Sequence, residues 1–350
     1  MLAEDNILEL LKQKGAEAAR KTQQAVILQP GAIGDCILTL PLAAFMKKNL
    51  RLGGIDIIGH TDYVGILPGR TCIDCARSID SIELHKLFVK HQEFDLKDAD
   101  PLISAFADYA WIATFLGGPN SNFEQNLIFT ANCSHSAEII TLNMKPPEDF
   151  PGHFSDFCIG QFTEQIDLFS GSWKSEFDED LIKATKADIN TGKDLLRETG
   201  IDRQKKLAVI QPGSGGENKC WHIENFLAVA DELASKDFET IFILGPAEVK
   251  RFSDETIKHI ISIATCMRDL PLVQVLGLLS CSDVFIGNDS GISHLAAGLG
   301  IRTFVIYGPT KPAVYKPIGP AVKVLIDESA AFDTKPSSNT QQELLNILME

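Results

Sequence analysis

The chain has 350 residues, of which 45% are hydrophobic and 8% aromatic, so it can form two globular domains with buried cores. Its formal net charge of -15 argues against binding of nucleic acid, because such surfaces neutralise phosphates with lysine and arginine. No apolar stretch reaches about 18 residues and the N-terminus lacks a signal-peptide pattern, so we expect a soluble protein of the cytoplasm.

The first predicted strand, residues 25–28, is followed by a loop and a helix. The loop contains Gly31 and Gly34 and ends at Asp35, where the helix begins. An aspartate in this place commonly caps the helix by accepting amide hydrogen bonds. It also lies outside the carboxyl end of a strand, where a substrate can approach the glycine backbone, so Asp35 is equally a candidate general base. The residues alone leave cap and base open.

Cysteines and closely spaced acids in the first half are the candidate metal ligands. The eight cysteines are scattered through a chain too long to depend on disulfides, which indicates a reducing compartment. Only Cys72 and Cys75 have a C-x-x-C spacing, and no second pair or nearby histidine completes a tetrahedral site. Asp98 and Asp100 have a D-x-D spacing but stand in a polar run typical of a solvated turn. We therefore expect no metal site.

The order of strand, Gln-Pro-Gly loop and helix returns at residues 207–236, and further apolar strands follow in both halves. This repetition predicts two doubly wound α/β domains in tandem. We predict an N-terminal domain over residues 1–172 and a C-terminal domain over 173–335, divided within a segment rich in Pro, Gly, Ser and Asp. A predicted helix in residues 336–350 either packs back on the first domain or lies at a solvent edge.

Small residues follow the first strand of the second domain, in a loop that runs from Gly213 and Ser214 to Lys219. Such a loop can turn backbone amides toward an anion, although a plain surface turn is the alternative. It matches neither G-x-G-x-x-G nor the P-loop pattern, so both of those fingerprints fail. Glu248, just past a later strand, either accepts from ribose hydroxyls or is simply an acid in the first turn of a helix.

Asp289, Ser290 and Gly291 form a polar turn between a predicted strand and a helix of small residues. The helix start offers N–H groups and hydroxyls which, with Lys219, would stabilise a departing diphosphate without a metal. His294 in the same helix is a candidate ligand contact or, taken alone, a packed or capping histidine.

Two motifs resemble glycosyltransferase family 9, the ADP-heptose:lipopolysaccharide heptosyltransferases. Residues 287–297, GNDSGISHLAA, resemble the family's N-D-[ST]-G-x-x-H-L-A-A signature, and residues 307–312, YGPTKP, resemble its F-G-x-T-x-P motif. The resemblance covers residues 25–325. It implies a GT-B fold, in which two Rossmann-like domains face an inter-domain cleft. It also implies inverting, metal-independent transfer of a sugar, with heptose from ADP-heptose as the expected donor and a glycan or lipopolysaccharide-type acceptor.

The resemblance further implies roles for individual residues. Asp35 matches the catalytic base of the family, Lys219 its diphosphate-binding lysine and Glu248 its ribose-binding acid. Asp289 matches the acid that contacts the donor sugar, and the turn from Ser290 to His294 faces the phosphates. No cofactor is implied beyond the nucleotide-sugar substrate.

The chain departs from the family in two places. The family usually has an arginine ahead of its L-G-D motif, where this chain has Gln29 and Pro30, and a proline after the K-x-W tryptophan, where it has His222. The missing arginine and the acidic first domain argue against a phosphorylated lipid A core and leave the acceptor open. Transient contact with the inner face of the bacterial inner membrane and the oligomeric state are open as well.

Two rival functions stay in view. One is a non-catalytic nucleotide-sugar-binding protein that keeps the donor site alone. The other is a nicotinamide-dependent oxidoreductase, since doubly wound domains host both chemistries, and the absent G-x-G-x-x-G argues against it.

Overall fold

The computed structural model describes residues 23–166, 180–201, 204–308 and 310–349. These residues divide into two compact units, the first formed by 23–150 with 154–166 and the second by 151–153 with 180–349. The predicted boundary near residue 172 lies outside the described residues. Each unit has one parallel sheet with helices, which is the doubly wound α/β class predicted from the sequence.

The first unit is built on a parallel sheet. Its strands are β1 (Gln24–Leu28), β2 (Gly54–Gly59), β3 (Cys75–Ser78), β4 (Tyr109–Thr114) and β5 (Glu138–Thr141). Its helices are α1 (Ile33–Asn49), α2 (Thr61–Val64), α3 (Pro101–Phe106), α4 (Asn122–Asn132) and α5 (Phe154–Ile166), with 3₁₀ turns at Ile79–Ser81, Leu84–Phe88 and His91–Glu93. The strand order is β3-β2-β1-β4-β5. The order reverses between β1 and β4, so the loop that carries Asp35 begins at the crevice where ligands bind in such sheets.

The second unit repeats this arrangement with one more strand. Its strands are β6 (Lys206–Gln211), β7 (Phe238–Leu244), β8 (Thr265–Arg268), β9 (Val284–Asn288), β10 (Arg302–Tyr307) and β11 (Val322–Ile326). Its helices are α6 (Lys186–Glu198), α7 (Ile223–Ser235), α8 (Pro246–Arg251), α9 (Asp254–Ile263), α10 (Leu272–Ser280), α11 (Gly291–Gly298), α12 (Pro312–Tyr315) and α13 (Ser338–Met349), with a 3₁₀ turn at Glu217–Lys219. The strand order is β11-β10-β9-β6-β7-β8, so β6 lies between β9 and β7 and the reversal falls between β6 and β9.

The central strands are almost continuous apolar runs. Residues 25–28 of β1 and 207–210 of β6 are all buried. This pattern is expected of a parallel sheet whose two faces are both covered by helices. Aromatic side chains fill the cores, among them Phe106 and Phe123 in the first unit and Phe226 and Phe242 in the second.

The last helix, α13, belongs to the second unit. Leu344 and Leu348 are buried in the core of that unit, where α13 packs on α7 and β11. The guanidinium of Arg302 donates to the carbonyl oxygens of Ile347 at 2.6 Å and Leu348 at 3.0 Å, which satisfies the carbonyls left over at the helix end. The sequence left open whether the terminal helix packs back on the first domain or lies at a solvent edge, and the structure buries its leucines in the core of the second unit. Within the part of the chain that the structure describes, no helix is both long and apolar enough to cross a bilayer.

Candidate active site

Asp35 lies in the first turn of α1, just beyond the carboxyl end of β1. Its Oδ2 accepts a hydrogen bond from the backbone N–H of Ala32 at 3.0 Å, which is one half of a capping box. A Cβ at position 31 would lie 2.6 Å from the same oxygen, so Gly31 allows the loop to fold against the carboxylate. Gly34 follows within the helix and is partly exposed. The structure thus places a half-buried carboxylate at the helix start and shows the capping contact.

Gln29 lies at the start of the loop that leads to Asp35. Its side chain is buried, its Nε2 donates to Thr39 Oγ1 at 2.8 Å, and its Oε1 accepts from the N–H of Gly31 at 2.9 Å. The Thr39 hydroxyl in turn donates to the carbonyl oxygen of Asp35 at 2.8 Å. Gln29 therefore fixes the loop that leads to Asp35 and contributes no positive charge.

In the second unit, the loops that follow β6 and β9 meet because these two strands are direct neighbours. Lys219 Nζ lies 3.1 Å from Asp289 Oδ2, and the side chain of Asp289 is 10% exposed against 38% for Lys219. Ser214 Oγ donates to the backbone carbonyl of Asp289 at 2.5 Å. The structure thus brings together a lysine and an acid that are 70 residues apart in the chain.

Glu248 lies in the first turn of α8, and only 4% of its surface is exposed. Its Oε2 accepts from the N–H of Gly245 at 2.7 Å, as a first-turn acid does, and its Oε1 accepts from Gln211 Nε2 at 3.3 Å. A Cβ on residue 213 would overlap this carboxylate, so Gly213 is needed for the close approach of its loop to Glu248. Glu248 is therefore tied to the loop that begins at Gly213.

Ser290 is the N-cap of α11, and Gly291 is the first residue of the helix. Ser290 Oγ accepts from the N–H of Ser293 at 3.3 Å and donates to Gln211 Oε1 at 2.9 Å. A helix start leaves backbone N–H groups without intrahelical partners, and these groups attract anions. The proton of the Ser290 hydroxyl is directed to Gln211, so the backbone supplies the anion-binding groups here.

His294 is buried in the first turn of α11. Among the described residues, its Nδ1 has no hydrogen-bond partner. The pKa of His294 is lowered to about 4, chiefly by burial; the charge of Asp289 opposes this shift, and nearby His153 and Lys219 add to it. The imidazole is therefore neutral at neutral pH. It is a packed histidine, as one sequence interpretation held, with one buried nitrogen left to bind a ligand.

Two residues without a predicted role, Asn288 and Trp221, connect the loops of this site through hydrogen bonds. Asn288 is fully buried; its Oδ1 accepts from the N–H of Trp221 at 2.9 Å and its Nδ2 donates to the carbonyl of Pro212 at 2.8 Å. The Trp221 Nε1 donates to Asp327 at 3.0 Å. Both residues stand inside the quoted motifs, and an amide at the end of a buried strand was the signal that could have pointed to Asn288.

Tyr307 is a third residue without a predicted role. Its hydroxyl donates to the carbonyl of Tyr315 at 3.1 Å. Burial raises the pKa of Tyr307 and the negative charge of Asp289 raises it further, so the phenol stays protonated beside that acid. The motif that residues 307–312 resemble begins with Phe, where this chain has Tyr307.

The acids and cysteines that have metal-ligand spacing do not come together. Asp100 Oδ1 accepts from the N–H of Leu102 at 2.9 Å and caps α3. Cys72 and Cys75 are free thiols, the first half-buried and the second exposed. Over the described residues, no group of three or more His, Cys, Asp or Glu side chains converges as a metal site.

Comparisons with known proteins agree with the motifs. The family model "Glycosyltransferase family 9 (heptosyltransferase)" matches residues 161–344, just over half of the chain. Lipopolysaccharide heptosyltransferase 3 of Escherichia coli is 22% identical over 307 residues, which cover 81% of this chain and 83% of the relative. Lipopolysaccharide heptosyltransferase 1 of Campylobacter coli is 24% identical over 303 residues, with coverage of 81% and 83%.

Solved structures show the same fold. The E. coli ADP-heptose lps heptosyltransferase II superposes with a TM-score of 0.65 at 14% identity, covering 93% of this chain and 99% of that one. A glycosyl transferase family 9 protein from Veillonella parvula DSM 2008 gives 0.66 at 17% identity, covering 87% and 86%. This chain therefore has the α/β GT-B fold and belongs to glycosyltransferase family 9, the heptosyltransferases.

Proposed function

We propose that this glycosyltransferase moves a heptose from an ADP-linked donor to a hydroxyl of a glycan or lipopolysaccharide-type acceptor. Transfer proceeds with inversion at the anomeric carbon and without a metal. The second unit binds the donor, and Asp35 of the first unit is the general base.

The contact between Lys219 and Asp289 at the start of α11 carries the proposal. A lysine beside a helix N-terminus concentrates positive charge without a metal, which suits a diphosphate. The adjacent Asp289 carboxylate can only accept hydrogen bonds when ionised, which suits the hydroxyls of a sugar. A sugar diphosphate is the ligand that needs both kinds of group side by side, and both belong to the segment matched by the family model.

The proposed reaction is a single displacement. Asp35 takes the proton of the acceptor hydroxyl, whose oxygen forms a bond to the anomeric carbon. The bond between that carbon and the diphosphate oxygen breaks on the opposite face, which inverts the configuration. Lys219 and the N–H groups at the start of α11 receive the negative charge that leaves on the nucleotide diphosphate.

The names of the relatives support the choice of heptose and ADP. Relatives of this chain are called lipopolysaccharide heptosyltransferases, and one structural neighbour is the E. coli heptosyltransferase WaaC with ADP. On the acceptor side the chain has Gln29 and Pro30 where the family usually has an arginine, so we propose an acceptor sugar without a phosphate at this contact. The eight cysteines are scattered through a chain too long to depend on disulfides, which supports a reducing, cytoplasmic compartment.

Donor binding is the first test. We expect calorimetry to show that ADP binds more tightly than GDP, UDP or NADH, and that Lys219→Gln weakens ADP binding by about 10- to 100-fold, the range for a hydrogen bond to a charged group. Adenosine, which has no phosphate, should bind both proteins equally. Lys205→Gln is the matched control, because Lys205 is an exposed lysine of the same unit that faces Asp237 and Glu239.

Three outcomes would contradict the proposal. Absence of binding by all nucleoside diphosphates would exclude the donor site, and tight binding of NADH alone would favour an oxidoreductase. ADP binding with slow donor hydrolysis and no transfer to any sugar acceptor would favour a non-catalytic binding protein.

Proton NMR of the product shows whether the anomeric configuration inverts. Unchanged turnover in EDTA is the expected result for transfer without a metal.

A further inference from the structure

Gln211 is a buried amide that joins the two ends of the candidate donor site. It is the last residue of β6, and its side chain lies between Glu248 and Ser290. The distances are 3.3 Å from its Nε2 to Glu248 Oε1 and 2.9 Å from Ser290 Oγ to its Oε1. These partners are 37 and 79 residues away in the chain. Gln211 reaches both because β6 lies between β7, which leads to Glu248, and β9, which leads to Ser290.

The orientation of this amide follows from the chemistry of its neighbours. An ionised carboxylate only accepts hydrogen bonds, so the NH₂ group of Gln211 must face Glu248 and its oxygen must face Ser290. The Ser290 hydroxyl therefore donates to Gln211. Ser293 Oγ donates to the carbonyl of Asn288 at 2.5 Å, so its proton is committed elsewhere. The resulting chain of hydrogen bonds runs in one direction, from Ser290 through Gln211 to Glu248.

The same tripeptide, Gln-Pro-Gly, occurs in the first unit with a different result. There Gln29 binds Gly31 and Thr39, which lie 2 and 10 residues away, so it stabilises only its own loop and helix. Gln211 instead links groups from two other loops. The function of Gln211 therefore depends on the strand order rather than on the tripeptide.

We propose that Gln211 is a positioning residue that couples recognition of the nucleoside at Glu248 to recognition of the diphosphate at the start of α11. The inference rests on the proposed function, since it takes Glu248 and the cap formed by Ser290 as donor-binding groups. A nucleotide that fixes Glu248 through its ribose also fixes the Gln211 amide and hence Ser290. The backbone N–H groups that follow Ser290 are then already in place for the diphosphate.

A set of four ligands tests this coupling. Dissociation constants are measured for ADP, AMP and the 2′,3′-dideoxy form of each, so that loss of the ribose hydroxyls and loss of the β-phosphate are combined in one thermodynamic cycle. In the wild type we expect the two losses to be non-additive by about 5-fold or more, the lower end of typical coupling. In Gln211→Met, which keeps the length of the side chain but cannot form either bond, the two losses should be additive and ADP should bind more weakly.

Two further variants make the test decisive. Ser290→Gly removes the hydroxyl that Gln211 accepts from and keeps most of the capping tendency, so it should also abolish the coupling. Gln342→Met is the matched control, because Gln342 is a glutamine on the surface of the same unit, where its amide donates to Asn346 at 3.0 Å, and the change should leave all four dissociation constants unchanged. Thermal unfolding of each variant shows whether the fold is lost. A purely structural role would weaken the binding of all four ligands by the same factor.

The results distinguish failure of the inference from failure of the proposed function. Additive losses in the wild type, or retained coupling in both Gln211→Met and Ser290→Gly, would overturn the positioning role while leaving ADP binding intact. If the wild type binds none of the four nucleotides, the proposed donor is wrong and the role of Gln211 falls with it.

Discussion

Replacement of Asp35 by asparagine separates a helix cap from a general base. Asparagine retains an oxygen that can accept from the N–H of Ala32, the 3.0 Å contact seen at the start of α1, but it cannot take a proton. We expect turnover to fall by about 10²–10⁴-fold, the usual contribution of general-base assistance. That loss corresponds to about 3–5 kcal/mol of transition-state stabilisation. The free energy of unfolding should change by less than about 1 kcal/mol, because only the charge at the helix start is lost.

The assay measures release of ADP from a nucleotide-sugar donor in the presence of acceptor, alongside thermal unfolding and ADP affinity. Asp35→Ala should show the same loss of turnover as Asp35→Asn. Its free energy of unfolding should be lower by a further ~0.5–2 kcal/mol, because it also removes the capping contact. Asp100→Asn is the matched control, since Asp100 caps α3 in the same unit through the N–H of Leu102. Turnover of Asp35→Asn close to that of the wild type would show that Asp35 only caps the helix.

Two further predictions concern the donor-binding unit. The pKa of His294 falls from 6.5 to about 4 on folding, so the unfolded state binds the proton more tightly. The free energy of unfolding should therefore drop by roughly 2 kcal/mol between about pH 7 and pH 5. His294→Gln should flatten this part of the stability profile, and an unchanged profile would contradict the buried neutral imidazole. Gly213→Ala should lower the free energy of unfolding by about 1–3 kcal/mol and weaken ADP binding, because the added methyl displaces the carboxylate of Glu248. A variant as stable as the wild type in thermal unfolding would refute that reasoning.

The sequence predicted local structure well wherever one segment determines it. The apolar run at 25–28 lies within strand β1, and the segment 207–236, predicted as strand, loop and helix, contains most of β6 and all of α7. Strands buried on both faces must be apolar throughout, so the amino-acid pattern alone identifies them. The motif around Asp289 likewise identified the family, which the comparisons confirm.

The sequence also assigned Lys219 and Asp289 to one donor site, and in the structure Lys219 Nζ lies 3.1 Å from Asp289 Oδ2. It left Asp35 divided between cap and base, and the structure supplies the cap contact to Ala32, while the base stays a prediction. The sequence left the packing of the terminal helix open. Its helical spacing allowed either packing on the first domain or a place at a solvent edge, and the structure shows its leucines in the core of the second unit and its last carbonyls bound by Arg302.

The sequence by itself therefore determined the alternation of strands and helices, the repeated opening of the two units and the residues of the family motifs. Only the tertiary structure decided that Gln211 bonds to both Glu248 and Ser290, since those partners are 37 and 79 residues away. The physical reason is the strand order. Crossover connections place β6 between β9 and β7, and this order, which no local pattern encodes, decides which loop ends meet at the carboxyl edge of the sheet.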